Sequence, residues 1–142
     1  IGRRHRDLCN LVDAITRRLL DTGAVSAKGM KATPQKDGYT RYLRFGDDES
    51  KVGGSIRLDY TSWVENEISP IWVETWGEGT AYLRDTFKQV ATEDGLAVLE
   101  KRSTVMLPLD VKSGQEFDEI VDCAIDRIER VLELVAENPS DN

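Results

Sequence analysis

The stretch GGSIRLDYTSWVENEISPIWVETWG, residues 53–77, decides the fold of this chain. It holds all three tryptophans and two runs in which apolar and polar side chains alternate. In residues 55–60, Ile56, Leu58 and Tyr60 recur with the period of two that is typical of a half-buried strand. This run therefore predicts a strand with one face against a core.

A second strand is predicted at residues 71–76, at the centre of the sheet. One face carries β-branched residues, and the other carries Trp72, Glu74 and Trp76. Such side chains on both faces indicate that both are covered, which is typical of a central strand. Pro70 lacks an amide hydrogen and fits the first position of a strand. We interpret the tryptophans as core and sheet-face packing. The alternative is that Trp72 or Trp76 lines a groove for a ligand or peptide.

Hydrophobic periodicity in the rest of the chain predicts an α+β fold in which helices pack on a single antiparallel sheet. The link at residues 61–70 is too long for a tight hairpin and predicts a turn of helix, carrying Trp63, that folds back onto the sheet. Residues 24–38 predict a connection. The order is α-β-β-β-α-β-β-α, with helices at residues 3–21, 80–92 and 117–135 and further strands at residues 39–45, 96–100 and 104–109.

The first and last helices are expected to pack on the same sheet, because their apolar stripes are too long to leave in water. Ser113-Gly-Gln-Glu116 is a capping-box pattern that predicts the start of the last helix. Residues 1–137 are expected to form one α+β domain, and residues 138–142 a tail. The chain begins with Ile1 rather than Met, which is compatible with a domain excised from a longer protein.

Composition favours a soluble domain in a reducing compartment. The chain has 142 residues, of which 39% are hydrophobic and 32% charged, which is ordinary for one globular domain. No apolar run has the length of a membrane span. Two isolated cysteines, Cys9 and Cys123, favour the cytoplasm over a disulfide framework.

The charge is unevenly distributed. The net charge of −7 argues against nucleic-acid binding by the whole surface. Residues 24–46, however, contain five basic residues against one acid, with aromatic residues between them. The candidate partner-binding residues in this segment are Lys28, Lys31, Arg41 and Arg44. In one interpretation these side chains hold nucleic-acid phosphates while the aromatic residues stack on bases. In the preferred one, Arg41 and Arg44 pair with carboxylates such as Asp59 across the sheet.

The sequence predicts no catalytic residue, cofactor site or metal site. His5 is the single histidine, has no ligand partner at suitable spacing, and is expected to be an exposed helix residue. Cys9 has no evident activating base nearby in sequence. Acid-x-Lys triplets of the kind used by metal-dependent nucleases occur at residues 49–51 and 110–112, but about one such triplet is expected by chance. These triplets are the basis of a third hypothesis, a small metal-dependent nuclease.

One segment resembles a known family. The pattern is Ile56-x-Leu58-Asp59-Tyr60, then Trp63, then Ile68-Ser-Pro70-Ile-Trp72-Val. It resembles the C-terminal accessory regions of uncharacterised bacterial proteins that carry PD-(D/E)XK-type nuclease domains. Met106-Leu-Pro-Leu109 followed by an amphipathic helix is similar to the way these regions end. The nuclease signature belongs to another domain of those proteins and is not matched here. The resemblance implies an accessory module that recognises a partner, regulates, or helps to hold DNA while another domain cuts.

The element order also resembles that of small acidic secretion-chaperone-like proteins, which pair and bind extended peptides, although fold alone does not imply function. Two functions are therefore expected. The first is a non-catalytic accessory or regulatory binding domain of a bacterial multidomain protein of nuclease-like or defence type. The alternative is a self-contained dimeric chaperone-like or regulatory protein that binds a peptide or protein partner. Both imply protein partners, other domains of the same chain or a second copy, and neither requires a cofactor or a membrane.

Overall fold

The computed structural model describes residues 2–101, 103–111 and 114–137. This part of the chain forms the predicted α+β fold, in which helices pack on a single antiparallel sheet. The described residues form four helices and seven strands, two strands more than predicted. The helices are α1 (Gly2–Thr22), α2 (Tyr60–Asn66), α3 (Glu78–Glu93) and α4 (Phe117–Glu137). The strands are β1 (Val25–Ser26), β2 (Ala32–Gln35), β3 (Gly38–Phe45), β4 (Gly53–Asp59), β5 (Ile71–Trp76), β6 (Leu99–Glu100) and β7 (Thr104–Leu109). No helix in these ranges is long and apolar enough to cross a membrane.

The sheet has the order β1-β3-β4-β5-β7-β6, with β2 also paired to β3, and every pair is antiparallel. Strands β3, β4 and β5 follow one another in the chain and pair as an antiparallel meander. The predicted central strand, β5, has strands on both sides, and all its residues except Trp76 are buried. The register places Ile56 opposite Val73, and Val73 opposite Leu107, so these side chains form one apolar face.

Three long helices cover that apolar face. Helix α1 packs on β3 and β4, α3 packs on β5 and β7, and α4 contacts both α1 and α3 as well as β7. Fully buried residues such as Ile15 of α1, Phe87 of α3 and Ile128 of α4 share one core with the strands. Burying each side chain of this size contributes about 1.5–3 kcal/mol. The predicted packing of the first and last helices on one sheet is therefore confirmed.

Two strands lie in the segment that was predicted to be a connection. Strand β1 has two residues, and β2, with the sequence ATPQ, is exposed or half-buried throughout. Such strands carry no apolar alternation that a sequence reading detects. Pro34 fits an edge position because it cannot donate to a further ladder. The prediction of a strand at residues 96–100 was too long, since β6 covers the last two of them.

Helix α2 is the predicted turn of helix, and both its ends are fixed. Buried Asp59, the last residue of β4, caps it by accepting a hydrogen bond from the Ser62 amide at 2.9 Å. The Asp59 amide in turn donates to the Pro70 carbonyl at 2.9 Å, which closes the loop between β4 and β5. Glu67, with φ of 54°, ends the helix. A helix of seven residues is thus held against the end of the sheet.

Some predictions fall outside the described residues. These are Ser113 of the capping box, Lys112 of the second acid-x-Lys triplet, and the tail at residues 138–142. Within the described part, the Ile120 amide donates to the Glu116 carbonyl at 3.1 Å at the start of α4.

Candidate binding groove

A groove surrounds Trp63 where the first turns of α1, helix α2 and the segment entering α4 meet. Three cavities share the Trp63 side chain and have volumes of about 430, 330 and 420 Å³. The first is lined by Arg4, His5, Leu8, Tyr60 and Trp63. The second includes Arg4, Asp7, Leu11, Pro70, Val111 and Ile120, and the third includes Val64 and Glu67. We call this surface the Trp63 groove.

The groove is apolar at its floor and partly exposed at its rim. Trp63 is half-buried and stacks on Tyr60, with ring centroids 6.4 Å apart and planes inclined by 28°. Val64, next to it, is 76% exposed. Phe117, the first residue of α4, is 42% exposed and follows closely on the lining segment. Large apolar side chains grouped beside open cavities are typical of an interaction site.

A polar cluster forms the wall at α1. His5 Nδ1 and the Tyr60 hydroxyl share a hydrogen bond of 2.8 Å, and His5 Nε2 lies 3.5 Å from Cys9 Sγ. Burial, with a smaller contribution from the Asp13 carboxylate, raises the pKa of the Cys9 thiol. The thiol therefore stays protonated near neutral pH and is a poor nucleophile. The cluster shapes the cavity wall and has no activated catalytic group.

Two expectations about these residues were wrong. His5 is half-buried and hydrogen bonded, where an exposed residue was expected. Cys9 does have a base beside it, since His5 stands one helical turn earlier. Their four-residue spacing was visible in the sequence. Tyr60, which is 55 residues from His5, carries no local signal for this contact.

Arg4 is the cation at the groove. Its side chain is exposed and lines two of the three cavities. Among the described carboxylates, none forms an ion pair with it. Burial raises the pKa of Tyr60, and the Arg4 charge acts against that increase. Arg4 is therefore an exposed cation without an ion-pair partner among the described residues, on a lining that it shares with His5 and Tyr60.

The tryptophans predicted as candidate site residues lie elsewhere. Trp72 is 0% exposed, so it lines no surface groove, and its indole N–H has no hydrogen-bond partner among the described residues. Trp76 is half-buried and meets Tyr42 edge-on at 5.7 Å. Both belong to the sheet face opposite the long helices. That face also holds Arg57, which pairs with Glu74 at 3.1 Å and with Asp59 at 3.5 Å.

The predicted basic residues are mostly engaged within the protein. Arg41 pairs with a carboxylate, as expected, but its partner is Asp13 of α1 at 2.7 Å and not a residue such as Asp59 across the sheet. Arg44 donates to the backbone carbonyl of Lys28 at 3.0 Å. The Lys28 ammonium lies 4.0 Å from Asp48, and Lys31 is exposed. None of the four lines the Trp63 groove.

The other candidate sites are a cavity between two helices, metal-ligand clusters and the first acid-x-Lys triplet. A cavity of about 260 Å³ lies between α3 and α4, but its Arg127 and Arg130 pair with Asp94 at 2.8 Å and Glu93 at 3.1 Å. Within the described ranges, no three His, Cys, Asp or Glu side chains are grouped to hold a metal ion. Glu49 of the first acid-x-Lys triplet lies in a turn.

In comparisons with protein-family models, curated proteins and solved structures, nothing matches this chain significantly.

Proposed function

We propose that this chain is a non-catalytic binding domain that captures an apolar segment of a protein partner in the Trp63 groove. The observation that carries the proposal is the convergence of three cavities on one half-buried tryptophan. Tryptophan and tyrosine are enriched among the residues that dominate binding energy at protein interfaces. The groove has both, stacked on each other and partly open to solvent.

The shape of the groove favours a peptide segment over a small molecule. Its cavities lie side by side around Trp63, and each has room for a side chain. A segment with two or three apolar residues fills neighbouring cavities with successive side chains, as helices and strands do when they dock in grooves. The exposed Val64 rim adds contact area beyond the cavities.

The segment belongs either to another domain of the same polypeptide or to a separate protein. The first source agrees with the resemblance to accessory regions of nuclease-bearing bacterial proteins. The second agrees with the likeness in element order to secretion-chaperone-like proteins. A third source is a second copy of this chain, paired through the exposed Val64 and Phe117. Light scattering of the purified chain tests this source: it would show a dimer, and Val64→Asp would be a monomer.

The test is a selection of random dodecapeptides displayed on phage against the immobilised protein. Enriched peptides are then synthesised and titrated against wild type and variants. We expect Val64→Asp to weaken their binding by at least about tenfold, because it places a charge on the apolar rim. Since Val64 is 76% exposed, this variant keeps its fold.

The control is Tyr82→Ala, which removes an aromatic ring that is 41% exposed on α3 and lines none of the cavities of the groove. It should leave peptide binding unchanged. If no peptide is enriched, or if enriched peptides bind Val64→Asp as tightly as wild type, the groove is not the binding surface and the proposal is wrong.

A further inference from the structure

We infer that the segment taken up by the Trp63 groove carries an acidic residue next to its apolar anchor, and that Arg4 binds this carboxylate. The inference rests on the proposed function, because it specifies the partner of the same groove. It follows from a comparison of the arginine side chains that have an ion-pair partner with those that have none among the described residues.

Most arginines of the described chain are already engaged. Ion pairs hold six of them, namely Arg18, Arg41, Arg57, Arg84, Arg127 and Arg130, and Arg44 donates to a backbone carbonyl. Arg4, Arg6 and Arg17 have no such partner among the described residues. Of these three, Arg4 alone lines cavities of the groove. In a chain with 26 acidic residues, Arg4 is therefore an unpaired cation on the lining of the groove.

The other polar groups of the wall are less available. The His5 ring uses both nitrogens, one towards Tyr60 and one towards Cys9. The Tyr60 hydroxyl is occupied by His5 in the same contact. The Trp63 indole N–H is a single neutral donor in the same groove. The charged donor left for a ligand is the Arg4 guanidinium, which matches a carboxylate with two parallel hydrogen bonds.

The backbone at this end of the groove favours the same charge. Helix α1 has no acidic residue in its first turn, so the positive end of its dipole is not neutralised there. The other end of the groove is opposite in sign, because Glu67 lines the cavity beside Val64. Asp7 lines the second cavity together with Arg4, whereas the lining of the first cavity has Arg4 and no carboxylate. A carboxylate is therefore favoured in the first cavity, beside Arg4, and repelled at the Glu67 side. The expected ligand has its acid on one side of the anchor.

The experiment uses synthetic copies of the peptides enriched from the random library. We expect Asp or Glu within two positions of the apolar anchor, on one side of it. Replacing that acid by its amide should weaken binding to wild type about fivefold, a difference that shrinks in high salt. In Arg4→Gln the acid and amide peptides should bind equally. Arg6→Gln is the matched control, since Arg6 is exposed on the same helix and lines none of the cavities, and it should keep the fivefold difference.

The outcomes separate the two proposals. If enriched peptides lack acids, or if acid and amide forms bind wild type equally while Val64→Asp still weakens both, the groove stands and the carboxylate inference is wrong. If the difference persists in Arg4→Gln, Arg4 is not the residue that binds the acid. If Val64→Asp has no effect, the proposed function fails, and with it the inference.

Discussion

At the scale of single residues, Gly54 shows how closely β4 lies against its neighbours. A Cβ at this position would collide with the carbonyl oxygen of Glu74 and with the ring of Phe45. At Gly53, the adjacent position, a Cβ would lie 3.4 Å from the Trp76 ring, which is an ordinary contact. Of these two adjacent glycines, Gly54 has no room for a side chain, whereas Gly53 does.

We predict that Gly54→Ala lowers the free energy of unfolding by about 1–3 kcal/mol, because backbone or ring must move to admit the methyl group. Gly53→Ala should cost less than about 1 kcal/mol. Urea denaturation of both variants is the measurement. Equal midpoints for the two would show that the register of β4 against β5 is not the one described.

Asp13 connects α1 to the sheet and makes the fold sensitive to alkali. Its Oδ1 accepts hydrogen bonds from the Tyr39 hydroxyl and from Arg41, both at 2.7 Å. Burial and the hydrogen bond to Asp13 raise the pKa of Tyr39 above its ordinary 10.0, and Arg41 acts in the opposite direction. Because the folded protein holds this proton more tightly, the stabilisation is complete below about pH 10 and is lost as the pH rises through the higher folded pKa.

Thermal unfolding at about pH 8 and about pH 11 tests this link. Between these two pH values, the thermal midpoint of wild type should fall further than that of Tyr39→Phe, because the variant has no hydroxyl to ionise. Some alkaline loss remains in the variant, since the pKa of Tyr60 and that of Cys9 are also raised. An identical loss in both proteins would mean that the Tyr39 hydroxyl does not contribute.

At the scale of elements, strong periodicity made most of the fold predictable. Helices α1 and α4 and strands β5 and β7 lie within two residues of their predicted bounds, because each carries a long apolar stripe or a regular alternation. Strands β1 and β2 were missed, since they are short, lie at the edge and bury few apolar side chains.

The groove could not be predicted in the same way. Its walls come from α1, α2 and the residues before α4, which are far apart in sequence. The sequence indicated that Trp63 belongs to a turn of helix, but not that cavities would surround it. The sequence singled out Trp72 and Trp76 because they share a strand, and burial of Trp72 follows from the central position of β5.

The packing of α1 and α4 on the sheet gives a prediction for two core positions. Ile15 is 0% exposed and Ile120 is 8% exposed. Replacing either by Asp should destabilise the fold by several kcal/mol, because it buries an unpaired carboxylate, and Ile15→Asp should be the more severe. Val64→Asp is the control on a solvent-exposed apolar residue. Thermal midpoints that are unchanged in both core variants would contradict the described core.

At the scale of the whole molecule, charge and shape favour a protein partner over nucleic acid. The net charge of −7 repels phosphate at long range. The basic segment that could offset it is largely paired internally, through Arg41 to Asp13 and Arg44 to a backbone carbonyl. The apolar cavities lie instead at the end of the sheet, around Trp63.

The most direct test is an NMR titration in which a peptide enriched from the random library is added to the ¹⁵N-labelled protein. The proposal predicts that the amide signals of residues 4–11, 60–67 and 114–120 shift together with the Trp63 indole N–H. The Trp72 and Trp76 indole signals should stay in place. Shifts that cluster instead around Tyr42 and Trp76 or at residues 28–44, with the Trp63 indole unmoved, would contradict it.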